Sequence, residues 1–184
     1  GAEALAANQV ALTYGNAAFM LTVALGSAAT IRTSHCYGLK DKEQMRRSII
    51  SSLHLGALWG VCVLVVFILF RKLLPMAFTP SREIIALAAP MLVLVALYQV
   101  SDAIQGTLIG VLRGVQDVKI IAYLSFVAYV LLNIPVGYLC AFTFGFGSVG
   151  LLVGYIVGLT TAAVGYGIRV YRRLKSEKIV LQNG

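Results

Sequence analysis

The sequence predicts an all-α protein: a polytopic bundle of about five membrane-spanning helices forming a single transmembrane domain over residues 1–184. Three observations predict it. The chain is 59% hydrophobic and 12% charged, whereas a soluble domain carries about 25% charged residues, so too few charges are present to wet a water-facing surface. The mean hydropathy is +0.87. The apolar residues fall in runs close to the length a helix needs to cross a bilayer, and the charges gather between the runs.

The first span covers residues 2–34, with Arg32 near its end. Gln9, Thr13, Asn16 and Met20 fall on one stripe by three-and-four spacing. That stripe is either ordinary polar contact between helices or a substrate-facing wall. Gly26, Ser27, Ala28 and Ala29 are small enough for close helix approach. Residues 35–47 are strongly polar, and Lys40, Lys42, Arg46 and Arg47 mark them as cytoplasmic. Gly38 suits a helix end there. His35 beside Cys36 reads as interfacial, because no further metal ligand stands at a recognisable spacing.

The second span covers 48–70, with His54 and Trp59 read as packing residues. Residues 71–82 hold Pro75 and Pro80 and form a short external loop. The third span, 83–112, is long for a bilayer, at about 45 Å. Pro90 is the bend site, and Gly106 and Gly110 stand at a spacing that favours tight contact with a neighbour. A cytoplasmic turn follows at 113–119. The fourth span is 120–142, with a kink-forming Pro135. An uncharged glycine-rich turn over 143–148 fits the outside. The fifth span is 149–168, and the basic stretch 169–184 forms a cytoplasmic tail.

Net charge is +8. A basic balance can mark a nucleic-acid binder, but these cations sit between apolar runs and at the C-terminal end. The expected partner is therefore a lipid bilayer, with no nucleic acid. Cys36, Cys62 and Cys140 are odd in number and far apart, so no disulfide is expected. No constellation of nucleophile, base and metal ligand emerges, and the chain reads as a non-enzyme without cofactor. It opens in GAEALAANQV with no start methionine and no signal peptide, and so reads as the later part of a longer protein.

Asp102 is the one formal charge between Glu83 and Arg113. It lies about 16 Å along a helix from Arg113, and half the hydrocarbon thickness is about 15 Å. That places it near the membrane midplane, where a charge costs on the order of 3 kcal/mol. Such an acid usually faces a bundle interior or a wet cavity and binds a cation or a proton. The competing reading is a neutral, hydrogen-bonded structural acid. Tyr98 at i−4 and Gln105 at i+3 share its face, so a hydroxyl, a carboxylate and an amide form one stripe, more like a cavity wall than a lipid face.

The stretches AANQVAL, LGSAATIRTSHCYGLKD, YQVSDAIQGTLIGVLRGVQD and NIPVGYL resemble the multidrug and toxic compound extrusion (MATE) family, and the resemblance covers essentially the whole chain. It implies that the chain is most of the C-terminal lobe of a two-lobe transporter: helices eight to twelve of twelve, with an N-terminal lobe of the same protein as partner. It further implies export of cationic small molecules in exchange for sodium ions or protons, in a bacterial inner membrane with the C-terminus cytoplasmic. By this match Asp102 is the tenth-helix acid and Tyr98 the aromatic hydroxyl used near the coupling cation. Gln9 matches a polar position facing the drug cavity, and Phe19 an aromatic presented to substrate. Asn16 and Gln105 join them as cavity residues. The family's seventh-helix acid would lie upstream of Gly1, which leaves both coupling ions open.

The expected mechanism is competition for one carboxylate, with two lobes rocking about a central cavity. Two other functions are weighed against it. A lipid-linked oligosaccharide flippase needs a cationic cavity for pyrophosphate, and no Arg or Lys lies deep in a span. A non-transporting membrane scaffold needs no midplane carboxylate.

Overall fold

The computed structural model describes residues 2–143, 145 and 147–180. No strand occurs among them. Five long helices are joined by short turns: α1 (Ala2–Gly38), α2 (Lys42–Leu69), α4 (Arg82–Gly114), α5 (Val118–Thr143) and α6 (Ser148–Val180). A one-turn helix, α3 (Leu73–Met76), interrupts the loop before α4. All five long helices are long and apolar enough to cross a membrane.

The helices overrun the spans read from hydropathy, because polar first and last turns remain helical once capped. The helix α2 starts at Lys42, six residues before the apolar run, and Asp41 caps it by accepting from the Gln44 N–H at 2.9 Å. The tail expected over 169–184 is instead a continuation of α6 through Arg169, Arg172, Arg173 and Lys175 to Val180. Residues 181–184 lie outside the described residues.

The turns after α1 and α4 share one design. Lys40 (φ 56°) and Gln116 (φ 59°) are in the left-handed region. Each precedes an aspartate whose N–H reaches back five residues: Asp41 to the Cys36 carbonyl at 3.2 Å, and Asp117 to the Leu112 carbonyl at 2.9 Å. This satisfies carbonyls that a helix end would otherwise orphan. The reversal thus falls on Lys40, two residues beyond Gly38. The two aspartates then diverge. Asp41 caps its own helix, whereas Asp117 accepts from Arg169 Nε at 2.7 Å and stands 3.5 Å from Arg173 Nε, tying the turn to α6. In the turn after α5, Gly145 (φ 72°) and Gly147 (φ 53°) take conformations that suit glycine.

Helix α4 is the central post, packed against α1, α2 and α6, while α5 leans on α6. The α1–α4 seam rests on small residues. A Cβ on Gly106 would stand 2.6 Å from Thr22 Cγ2, and one on Gly110 would collide with the backbone of Gly26. The Thr30 hydroxyl lies across this crossing, 2.9 Å from the Gly26 carbonyl and 3.0 Å from the Gly110 carbonyl. The spacing read from sequence thus finds its partner in α1.

Pro90 sits inside a continuous α4. Pro135 has a larger consequence. The helix α5 is π-helical over Phe126–Asn133 and again over Leu139–Thr143, with an α-helical turn, Ile134–Tyr138, between. A proline supplies no N–H and crowds the preceding turn, and widened turns are one relief.

Two apolar clusters fill the interior. One gathers Leu108, Val111, Leu112, Val115 and Tyr166 at the end where the basic residues collect. The other gathers Phe67, Leu92, Val95 and Ala96 toward the opposite end. Trp59 packs against the second cluster, whereas His54 is exposed and packs little. Between the clusters lies the polar stretch of α4 from Tyr98 to Gln105.

Candidate functional site

A cavity of about 470 Å³ opens at this polar level, walled by α1, α4, α5 and α6. Helix α4 contributes Tyr98, Gln99 and Asp102; α1 contributes Asn16 and Phe19. Asp102 is the one formally charged side chain lining it, among the described residues. Tyr129 of α5 and Tyr155 of α6 complete an aromatic surround. The rings of Tyr98 and Tyr155 lie 6.3 Å apart, tilted by 36°. Gly15 makes room for Tyr98, since a Cβ there would stand 2.7 Å from the tyrosine hydroxyl.

Four residues expected from sequence therefore meet on one wall: Asp102, Tyr98, Asn16 and Phe19. Two are placed elsewhere. Gln9 is exposed and does not line the cavity; its neighbour Asn8 does. The stripe Gln9, Thr13, Asn16, Met20 is rotated from the one that lines the cavity, which runs Asn8, Leu12, Gly15, Asn16, Phe19. Polar residues on both sides of α1 made the two stripes hard to separate by spacing, and Gly15 was the distinguishing signal. Gln105 is 4% exposed and stands behind the wall, where its amide donates to the Tyr129 hydroxyl.

Gln99, at i−3 from Asp102, joins the site although the stripe of Tyr98, Asp102 and Gln105 does not include it. It is fully buried, and its amide N–H reaches Asp102 Oδ2 at 3.5 Å, a long and weak hydrogen bond. Its Oε1 has no partner among the described residues. The carboxylate oxygens of Asp102 suit a hard cation, which prefers oxygen ligands. The aromatic faces of Phe19, Tyr98 and Tyr155 suit an organic cation.

The MatE family model matches residues 1–139. This chain belongs to the MATE family. The multidrug resistance protein MdtK of Proteus mirabilis is 34% identical to it over 189 residues, covering 100% of this chain and 41% of the relative. The multidrug resistance protein NorM of Vibrio vulnificus is 34% identical over 175 residues, covering 93% of this chain and 38% of the relative. Among solved structures, the crystal structure of the eukaryotic MATE transporter AtDTX14 superposes with a TM-score of 0.86 at 25% identity, covering 95% of this chain and 40% of that one. The chain thus spans about two fifths of the length of the MATE proteins it matches. Membership of this multidrug efflux family, together with the five apolar helices, makes it a multi-pass membrane protein.

Proposed function

We propose that this chain is part of a secondary antiporter that exports organic cations in exchange for sodium ions or protons. The observation that carries the reading is the single carboxylate, Asp102, on an aromatic-walled cavity between two apolar clusters. A volume of about 470 Å³ falls within the range of drug-sized sites. Ionised Asp102 attracts a cationic substrate, and Phe19, Tyr98 and Tyr155 offer it ring faces. A sodium ion or proton that neutralises the carboxylate removes the attraction and favours release. The N-terminal lobe of the same protein closes the other side of the cavity, and rocking of the lobes exposes it alternately to the two sides of the membrane. The reading assigns no catalysis and no cofactor beyond the coupling ion. It also differs from a flippase for lipid-linked oligosaccharide, whose pyrophosphate calls for cations: no Arg or Lys lines this cavity among the described residues.

Competition fixes the sign of the pH dependence. A protonated Asp102 has no charge to attract a cation, so affinity for a cationic substrate falls as pH drops. Asp102→Asn has no charge to lose and gives a flat profile. Substrate affinity measured in nanodiscs between about pH 5 and pH 8 checks this. Parallel profiles for the two proteins would remove Asp102 from the coupling step.

We place the protein in a bacterial inner membrane with its basic end, which holds the turns at 35–47 and 113–119, in the cytoplasm. In a cysteine-free background, a cysteine at position 116 is expected to resist an impermeant thiol reagent in intact cells. Labelling from outside would invert the orientation.

A further inference from the structure

At the basic end of the bundle, a second cavity of about 650 Å³ lies between the start of α2 and residues 171–175 of α6. Its chemistry differs from that of the first. Lys42, Arg46 and Lys175 border it. Among the described residues, Glu43 is the one acid that lines it, and it is engaged by Arg47 at 3.0 Å. None of the three bordering cations forms an ion pair among the described residues. The described residues that line the cavity therefore give it a net positive rim. Its floor is apolar: Met45 is buried in the cluster that fills this end of the bundle, and Leu174 packs against that cluster. Ile50 and Tyr171 border it as well, 41% and 68% exposed, so it opens onto the outer surface of the bundle.

We propose that this groove binds an anionic phospholipid of the adjoining leaflet. The placement and the chemistry point to the same occupant. Helices α2 and α6 both pass here from apolar spans to charged turns, which is the depth of the lipid headgroups. A phosphodiester matches the three cations, and an acyl chain matches Met45, Ile50 and Leu174. A basic pocket between transmembrane helices at an interface is a recurrent setting for lipid headgroups. Tyr171 suits the same level, being apolar along its ring and polar at its tip. A soluble anion would use the rim and leave the floor uncovered. The site is separate from the cavity around Asp102 and shares no lining residue with it.

Native mass spectrometry of the full-length transporter in detergent tests the proposal, with phosphatidylglycerol and phosphatidylcholine of matched chains as probes. Each cation near an anionic headgroup contributes about fivefold in affinity. Wild type is expected to retain phosphatidylglycerol over phosphatidylcholine by on the order of 100-fold. The triple variant Lys42→Gln/Arg46→Gln/Lys175→Gln is expected to lose that preference. The charge-keeping Lys42→Arg/Lys175→Arg preserves it, as does Arg71→Gln/Lys72→Gln, which removes two cations from the loop before α4. Should the triple variant not purify as a folded protein, Lys175→Gln alone carries the test, with an expected loss of about fivefold. Unchanged preference in the triple variant, or in Lys175→Gln where that alone carries the test, overturns the proposal. Displacement of the lipid by inorganic phosphate at about 10 mM, roughly the range in which weak free-anion sites fill, would make this a site for a soluble anion and overturns it too.

Discussion

Asp102→Asn is expected to abolish drug efflux by the complete transporter while leaving its expression and membrane insertion intact. The substitution is isosteric and keeps a hydrogen-bonding side chain beside Gln99, so the packing of α4 is undisturbed. What it removes is the one formal charge on the cavity wall among the described residues. A unit charge pair about 4–5 Å apart at an effective dielectric near 20 is worth roughly 3–4 kcal/mol, which is more than about 100-fold in affinity. The variant also has nothing for a proton or sodium ion to neutralise, so the exchange cycle loses its coupling as well as its substrate. Dye efflux from energised cells reads both losses, and rates in the variant should fall to those of cells without the transporter. A purely structural acid would tolerate the amide. Wild-type efflux from Asp102→Asn would therefore remove Asp102 from the exchange step and leave it a structural acid.

The second large effect is structural. Gly110→Leu is expected to prevent the bundle from assembling, and Gly110→Ala to destabilise it by about 1–3 kcal/mol, the usual cost of overpacking a close-packed core. The reason is what a Cβ would meet. At Gly106 the nearest atom is the Thr22 side chain, which can turn aside. At Gly110 it is the backbone of Gly26, which moves only if the whole of α1 moves. The crossing also sets the site, because Gly106 lies one turn beyond Asp102 on the same helix and α1 carries Asn16 and Phe19 to the cavity. Gly38→Ala is the matched control: nothing lies within 4 Å of its Cβ position, and a change within about 0.5 kcal/mol is expected. Thermal unfolding in detergent, with the monodisperse fraction as a second readout, distinguishes the two. A Gly110→Leu protein that melts with wild type would show that the α1–α4 seam is not close-packed.

The sequence by itself determined the number and the order of the long helices. Bilayer crossing demands length and apolarity, and both are local properties of the chain. Asp102 was legible for the same reason: a lone charge in a long apolar run needs no partner to be noticed. Gly106 and Gly110 were legible as a contact-forming pair through their spacing. What the sequence could not determine was the rotation of α1. Its polar residues lie on more than one side, so Gln9 and Asn8 were equivalent until α4 packed against the helix and turned Asn8 inward. The position of Gln105 likewise depended on Tyr129, which reaches it only because α5 stands beside α4. The π-helical turns around Pro135 and the hold of Arg169 on Asp117 arise from contacts and backbone adjustments that hydropathy does not encode. Tertiary packing chose which face of each helix is inside, because a cavity wall is shared by several helices and no one of them carries its pattern alone.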